Sequence, residues 1–177
     1  MQTSINMNAT QLSQDEYLPY FNNYIEQAGD VELMEGLGSG MKSMLNFYGS
    51  IVSDKLEYRY ADGKWTIKEI INHLMDSERV FCYRAMRFAR QDNAALLGFE
   101  ENDYAVASKA NNRSLESLVE EYRLLRLSTM ALFESFDDDM LMRKGVAGSG
   151  EVSVRALGFL IIGHEKHHGN VIVERYL

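Results

Sequence analysis

The stretch TIKEIINHLMDSERVFCYRAMRFA, residues 66–89, is written in the period of an α-helix. Thr66 and Glu69 form a capping box, in which the hydroxyl takes one free N–H of the first turn and the carboxylate reaches back to another. Behind it Ile67, Ile70, Ile71, Leu74, Phe81, Ala85 and Phe88 recur three and four residues apart, the mark of one buried helical face. The spacing predicts a helix over about 67–91. No segment of the chain alternates convincingly with period two, so the expected fold class is all-α.

Working outward, a second helix is expected over about 31–53, carrying Leu33, Leu37, Met41, Met44, Leu45, Tyr48, Ile51 and Val52, with Asp30 placed to cap it. Gly36, Gly38 and Gly40 weaken it by up to ~1 kcal/mol each relative to alanine and allow a kink. A short extra N-terminal helix is predicted to start at a capping box of Ser13 and Glu16, or nearer Tyr17 because Pro19 is comfortable only in a first turn, and to stop at Gly29. Residues 1–12 are polar and expected to be flexible. Downstream, Ser114 can cap a helix over about 115–136, and a stretch from Gly145 to Gly150 precedes a last helix over about 152–176. Between Gln91 and Arg113 the pattern dissolves. A connection of about twenty residues is long for a bundle and is read as a lid or binding loop. Four long amphipathic helices plus the short one make a four-helix bundle, with residues 1–177 as a single domain.

Composition narrows the function. Eighteen Lys and Arg against 26 Asp and Glu give a net charge of −8, which repels phosphate backbones and disfavours nucleic-acid binding. Cys82 is the single cysteine, so no intramolecular disulfide is expected. The polar N-terminus has no apolar signal-like core, and the run Phe159–Ile162 falls far short of the ~20 apolar residues a bilayer needs. A cytoplasmic protein with neither a membrane nor a nucleic-acid partner is expected. No Gly-x-Ser-x-Gly, phosphate-cradling loop or Cys-x-x-Cys is present.

Three of the four histidines fall in GHEKHHGN, residues 163–170. At 100° per residue His164 and His168 share a helix face with Leu157, Leu160, Ile161, Val171 and Ile172, while His167 is turned about 60–100° away. Two unsatisfied imidazoles on a core-facing stripe cost about 1–3 kcal/mol each. A divalent metal would accept both lone pairs. His73, at the edge of the 67–91 stripe, could complete a three-histidine site with an open position. The alternative keeps His73 as a structural core histidine.

These two stretches resemble the DinB/YfiT-like metal-binding bundle superfamily. WTIKEIINHLMDSE, residues 65–78, is similar to its second-helix motif, and residues 163–170 are similar to its last-helix His-x-x-His-His signature. The resemblance spans about residues 15–177, with Asn170 where many relatives carry glutamine. It implies an up-down-down-up bundle that binds nickel or zinc through His73, His164 and His168. It also implies thiol-dependent S-transferase chemistry on a small electrophile, with a low-molecular-weight thiol as co-substrate and a homodimer as the assembly. A metal-dependent hydrolase, or a non-catalytic metal-binding protein of the stress or DNA-damage response, are the rival functions.

Other candidates each have a plain alternative. Asp76 could orient an imidazole or be salt-bridged. Glu165 could be a base or extra ligand, or an exposed acid. Glu69 is engaged in the capping box. Arg175 could bind an anionic substrate or close an ion pair at the bundle end. Cys82 could be a nucleophile, though a small buried side chain is the base expectation. The stretch GFEENDY, residues 98–104, could close over an open metal face or be an ordinary surface loop.

Overall fold

The computed structural model describes residues 7–92 and 94–177. In chain order the elements are α1 (Asn22–Ala28), α2 (Leu33–Ser50), α3 (Ile67–Ala89), α4 (Glu101–Ser108), α5 (Leu115–Glu134), α6 (Asp138–Met142), β1 (Lys144–Ala147), β2 (Gly150–Ser153) and α7 (Val154–Arg175). The long helices α2, α3, α5 and α7 form the bundle. The Thr66/Glu69 capping box opens α3, and Ser114 caps α5 by accepting from Ser117 N–H. α2 is capped by Glu32 rather than Asp30.

Side-chain pairs set the helix directions. Along α2 and α7, Gly36 lies against Ile162, Gly40 against Glu165 and Gly169 against Met44, so these two helices run parallel. α3 meets α7 in reverse: Phe81 packs on His164, His73 on His168, and Trp65 just before α3 accepts a hydrogen bond from Tyr176. α3 and α5 run together, pairing Arg79 with Glu121 and Cys82 with Thr129. α2 opposes α5, with Tyr48 on Tyr122 and Gly38 on Met130. The order is up-down-down-up.

That topology explains the long connection. Two consecutive helices pointing the same way force the chain to return along α3, about 34 Å for its 23 residues. Residues 90–114 are that return. They are not a bare loop, since they contain α4.

The stretch before α7 is a β-hairpin, which period-two reading missed. Each strand has four residues, too few to show alternation, and Gly145 stands where a side chain would strike the Phe88 ring. Leu96 joins the hairpin, its N–H donating to Val146 O (3.0 Å) and its carbonyl accepting from Gly148 N–H (2.8 Å). The return segment and the hairpin are thereby tied together.

The N-terminal region also differs from expectation. Residues 9–11, 14–16 and 19–21 form single 3-10 turns, and α1 begins only at Asn22, after Pro19, which has no N–H to give a longer helix. Gly29, with φ +77°, ends α1 as predicted. Met7 and Ala9 are buried, and Met7 O accepts from Leu33 N–H. The segment expected to be flexible is therefore packed from Met7 onward.

Two apolar clusters form the core, one around Leu37, Phe88, Phe133, Phe159 and Leu160, the other around Tyr48, Ile71, Met75, Tyr122 and Ile172. Arg126 of α5 lies fully buried and touches every bundle helix. It donates to Glu78 of α3 through Nε (2.9 Å) and Nη2 (3.0 Å), to Glu165 of α7 through Nη2 (2.6 Å), and to Leu37 O of α2 (3.2 Å). Thr129 donates to Glu78, and Tyr122 donates to Glu165.

α1 presses most closely on α7 at Gly163, where an added Cβ would sit 1.7 Å from Tyr24 O. Backbone cannot yield as a side chain can. Gly163→Ala is expected to destabilise the fold by about 2–3 kcal/mol, lowering the thermal midpoint by several degrees in circular dichroism. Gly169→Ala, whose methyl would only touch the Met44 sulfur at 3.5 Å, should leave the midpoint unchanged or raise it.

Candidate metal centre

α3 and α7 bring His73, His164 and His168 to one point. His164 Nε2 lies 3.1 Å from His73 Nε2 and 3.0 Å from His168 Nε2, and one nitrogen from each of the three falls within 4.8 Å of the others. The i, i+4 spacing on α7 supplies two imidazoles, and the antiparallel crossing of α3 supplies the third. Trp65 packs on His73 at 4.5 Å between ring centroids, and Tyr24 of α1 packs edge-on against His164 at 5.2 Å.

Such a cluster is not self-sufficient. An Nε2 carries either one hydrogen or one lone pair, so His164 can make only one well-aligned bond with its two neighbours. His168 Nδ1 is buried and has no hydrogen-bond partner among the described residues. A cation at the convergence accepts all three lone pairs at once, and an all-imidazole set suits zinc, nickel, copper or iron. These three residues could hold such an ion.

Electrostatics favours the lone-pair forms. Burial pushes the His73 imidazole down to about 4. It takes His168 to about 3, with repulsion from His73 and His167 adding to the effect. His164 falls well below the usual range through burial and the neighbouring imidazoles. All three are neutral at pH 7. In the unfolded chain they protonate near 6.5, so below that pH the unfolded state binds more protons and folding is penalised. Metal-free protein should therefore lose stability as pH falls from about 6.5 toward 4, by about 3 kcal/mol from His73 alone. Thermal melts in EDTA at pH 7 and pH 5 test this, and a His73→Phe variant should show a smaller drop.

The histidines form the floor of a cavity of about 470 Å³. Its walls are Phe21 and Tyr24 from the N-terminal region, Trp65, Ser77, Phe81 and Arg84 on the α3 side, Leu157 and Leu160 from α7, and residues 147–152 of the hairpin. Gly98, Phe99 and Glu101 also line it, so part of the segment read as a possible lid does reach the open face. His168 and Trp65 also border a second cavity of about 290 Å³ with Tyr60, Lys64 and Tyr176.

The remaining candidates resolve clearly. His167 turns away as expected, packing on Tyr24 and lying 3.4 Å from Gln27 Nε2. Asp76 accepts from Asn72 and pairs with Arg79 at 3.5 Å, without a bond to any histidine among the described residues. Glu69 is held by the capping box and by Arg59 and Asn111. Glu165 is neither an exposed acid nor aimed at the histidines, because Arg126 and Tyr122 hold it inside the bundle. Arg175 is exposed and lines neither cavity. Cys82 faces Thr129 at 3.3 Å, and burial pushes its thiol up to about 11, which keeps it in the weakly nucleophilic thiol form at neutral pH. Helical periodicity gave no sign that Arg84 lines the cavity.

A four-helix bundle whose first and last long helices run parallel thus brings three histidines together beneath a cavity, a donor set that could hold a metal ion. Residues 43–172 match the family model of the DinB superfamily, and the chain belongs to that superfamily. Among curated relatives, a Geobacillus kaustophilus protein is 24% identical over 148 residues, covering 80% of this chain and 82% of its own. A Geobacillus thermodenitrificans protein is 25% identical over 117 residues, covering 65% and 66%. Both are provisionally named metal-dependent hydrolases. Among solved structures, Bacillus subtilis YfiT, described as a probable metal-dependent hydrolase with an unusual four-helix bundle topology, superposes with a TM-score of 0.73 at 17% identity, covering 80% of this chain and 82% of its own. A mycothiol-dependent maleylpyruvate isomerase superposes with a TM-score of 0.65 at 10% identity, covering 78% of this chain and 58% of its own. At these identities the structural likeness concerns the fold. No helix among the described residues is long and apolar enough to cross a membrane.

Proposed function

We propose that this protein is a metal-dependent enzyme in which His73, His164 and His168 hold nickel or zinc, and that it transfers a low-molecular-weight thiol to a small electrophile. The observation that carries this reading is the convergence of three Nε2 atoms on the floor of a largely apolar cavity. A divalent metal at such a site supplies Lewis acidity, lowering the pKa of a thiol or water presented to it. The chain's own part is to keep the imidazoles deprotonated by burial, to stiffen them against Trp65 and Tyr24, and to surround a reacting molecule with Phe81, Leu157 and Leu160.

Transfer is favoured over hydrolysis by the carboxylates. A hydrolase of this kind would use a base beside the ion, yet Glu165, Asp76 and Glu69 are each engaged elsewhere. Among the described residues the carboxylates lining the cavity are Glu101, at the start of α4, and Glu151 of β2, neither of them on α3 or α7 with the histidines. Hydrolysis is the second reading, favoured by the names of the curated relatives.

The test is direct. Zinc- or nickel-loaded protein is incubated with 1-chloro-2,4-dinitrobenzene in the presence and absence of cysteine, and with p-nitrophenyl acetate alone. Metal-dependent conjugation that requires the thiol supports transfer, whereas metal-dependent ester cleavage without thiol supports hydrolysis. No metal-dependent rate in either assay contradicts the enzymatic reading.

A further inference from the structure

Among the described residues, Arg84 is the one lysine or arginine lining the 470 Å³ cavity. It is 8% exposed, and no carboxylate pairs with it among the described residues. Its Nη2 donates to Leu97 O at 3.1 Å, and its other two nitrogens have no acceptor among the described residues. Burying a cation without a counter-charge is unfavourable, and burial does pull the Arg84 guanidinium below its ordinary range. The other buried arginines are treated otherwise: Arg126 is paired with Glu78 and Glu165, and Arg155 with Glu16. Arg84 alone is left open toward a cavity.

Its place on α3 connects it with the histidines. Eleven residues separate His73 from Arg84, which returns the side chain to within about 20° of the same face, roughly 16 Å along the axis. The guanidinium is held at Leu97 O, and its side chain lines the same cavity as His73. Ser77 and Phe81 line the wall between them.

We propose that Arg84 is the anion-binding end of this cavity and that its ligand is an organic monocarboxylate, carried on an apolar body that extends toward the three histidines. The planar guanidinium fork matches a carboxylate bidentately. One cation, with Glu101 and Glu151 also on the cavity lining, can accommodate at most a single negative charge at the guanidinium and disfavours a phosphate dianion. The apolar walls of Phe81, Phe99, Leu157 and Leu160 fit the body of the ligand. This inference rests on the proposed function, because it assigns the carboxylate to the electrophile or thiol that reacts at the histidines.

Trp65 is the single tryptophan and lines the same cavity, so its emission reports occupancy. Zinc-loaded protein is titrated with 4-phenylbutyrate and with its neutral amide, and zinc content is measured on the same samples. The carboxylate is expected to bind about tenfold more tightly than the amide. Arg84→Met should bring the two within about twofold while leaving the amide affinity and the zinc stoichiometry unchanged, and Arg84→Lys should keep part of the preference. A purely structural tether to Leu97 would weaken both ligands equally. Equal affinities in the parent, a preference that survives Arg84→Met because the carboxylate sits on the metal, or no binding of either ligand would overturn the proposal. A preference that depends on Arg84 in a chain that binds no zinc would uphold the anion site while the metal reading fails.

Discussion

Replacing His164 by alanine is expected to abolish stoichiometric binding of zinc or nickel. The parent should take up about one equivalent, and the variant's affinity should fall by roughly a hundredfold or more, since even partners one shell beyond a metal cost 10–100-fold. His164 has the largest effect because its Nε2 is central, within 3.1 Å of both other nitrogens. His168→Ala and His73→Ala should follow closely, whereas His167→Ala should bind like the parent because that ring packs on Tyr24 and lies near Gln27. Far-UV circular dichroism separates loss of a ligand from loss of the fold. Equal stoichiometry in parent and His164→Ala would sink the three-histidine site.

The second large effect lies in the core. Arg126→Met removes the one cation that faces two buried carboxylates, Glu78 and Glu165, and leaves them without it. Breaking a buried ion network from one side costs about 3–5 kcal/mol, because the remaining charges keep their desolvation cost without compensation. For a chain of this length that corresponds to a fall of about 10 °C or more in the thermal midpoint, or a shift of well over 1 M in urea midpoint. The triple replacement Arg126→Met, Glu78→Gln and Glu165→Gln should recover much of the loss, since it removes the uncompensated charges. A single variant within 1 kcal/mol of the parent would show that the network contributes little.

Both effects depend on features that sequence shows unevenly. The capping box of Thr66 and Glu69, the Ser114 cap and the three-and-four spacing are local, and they mark α3 and α5 within a few residues. The i, i+4 pair of His164 and His168 is local too. His73 joins them through the antiparallel packing of α3 on α7, a long-range fact that the paired motifs made legible through resemblance.

What stayed hidden is non-local. Glu165 reads as a surface acid from its neighbours, and only Arg126, 39 residues away on α5, makes its burial tolerable. The glycines of α2 read as weak points, yet Gly40 leaves room for the Glu165 carboxylate, which a Cβ would meet at 2.5 Å. Four-residue strands carry no usable alternation, so the hairpin was invisible. Arg84 carries the helical period but not its meaning, because the cavity it faces is assembled from the N-terminal turns, the return segment and the hairpin.

The most direct test of the account is the electronic spectrum of the cobalt(II)-substituted protein before and after addition of 2-mercaptoethanol. Three histidines beneath an open cavity predict one equivalent of cobalt, ligand-field bands that change on adding the thiol, and a new thiolate-to-cobalt absorption. All three signals should be absent in a His164→Ala, His168→Ala double variant. A cobalt spectrum that thiol leaves unchanged, or a parent that binds no cobalt, would contradict it.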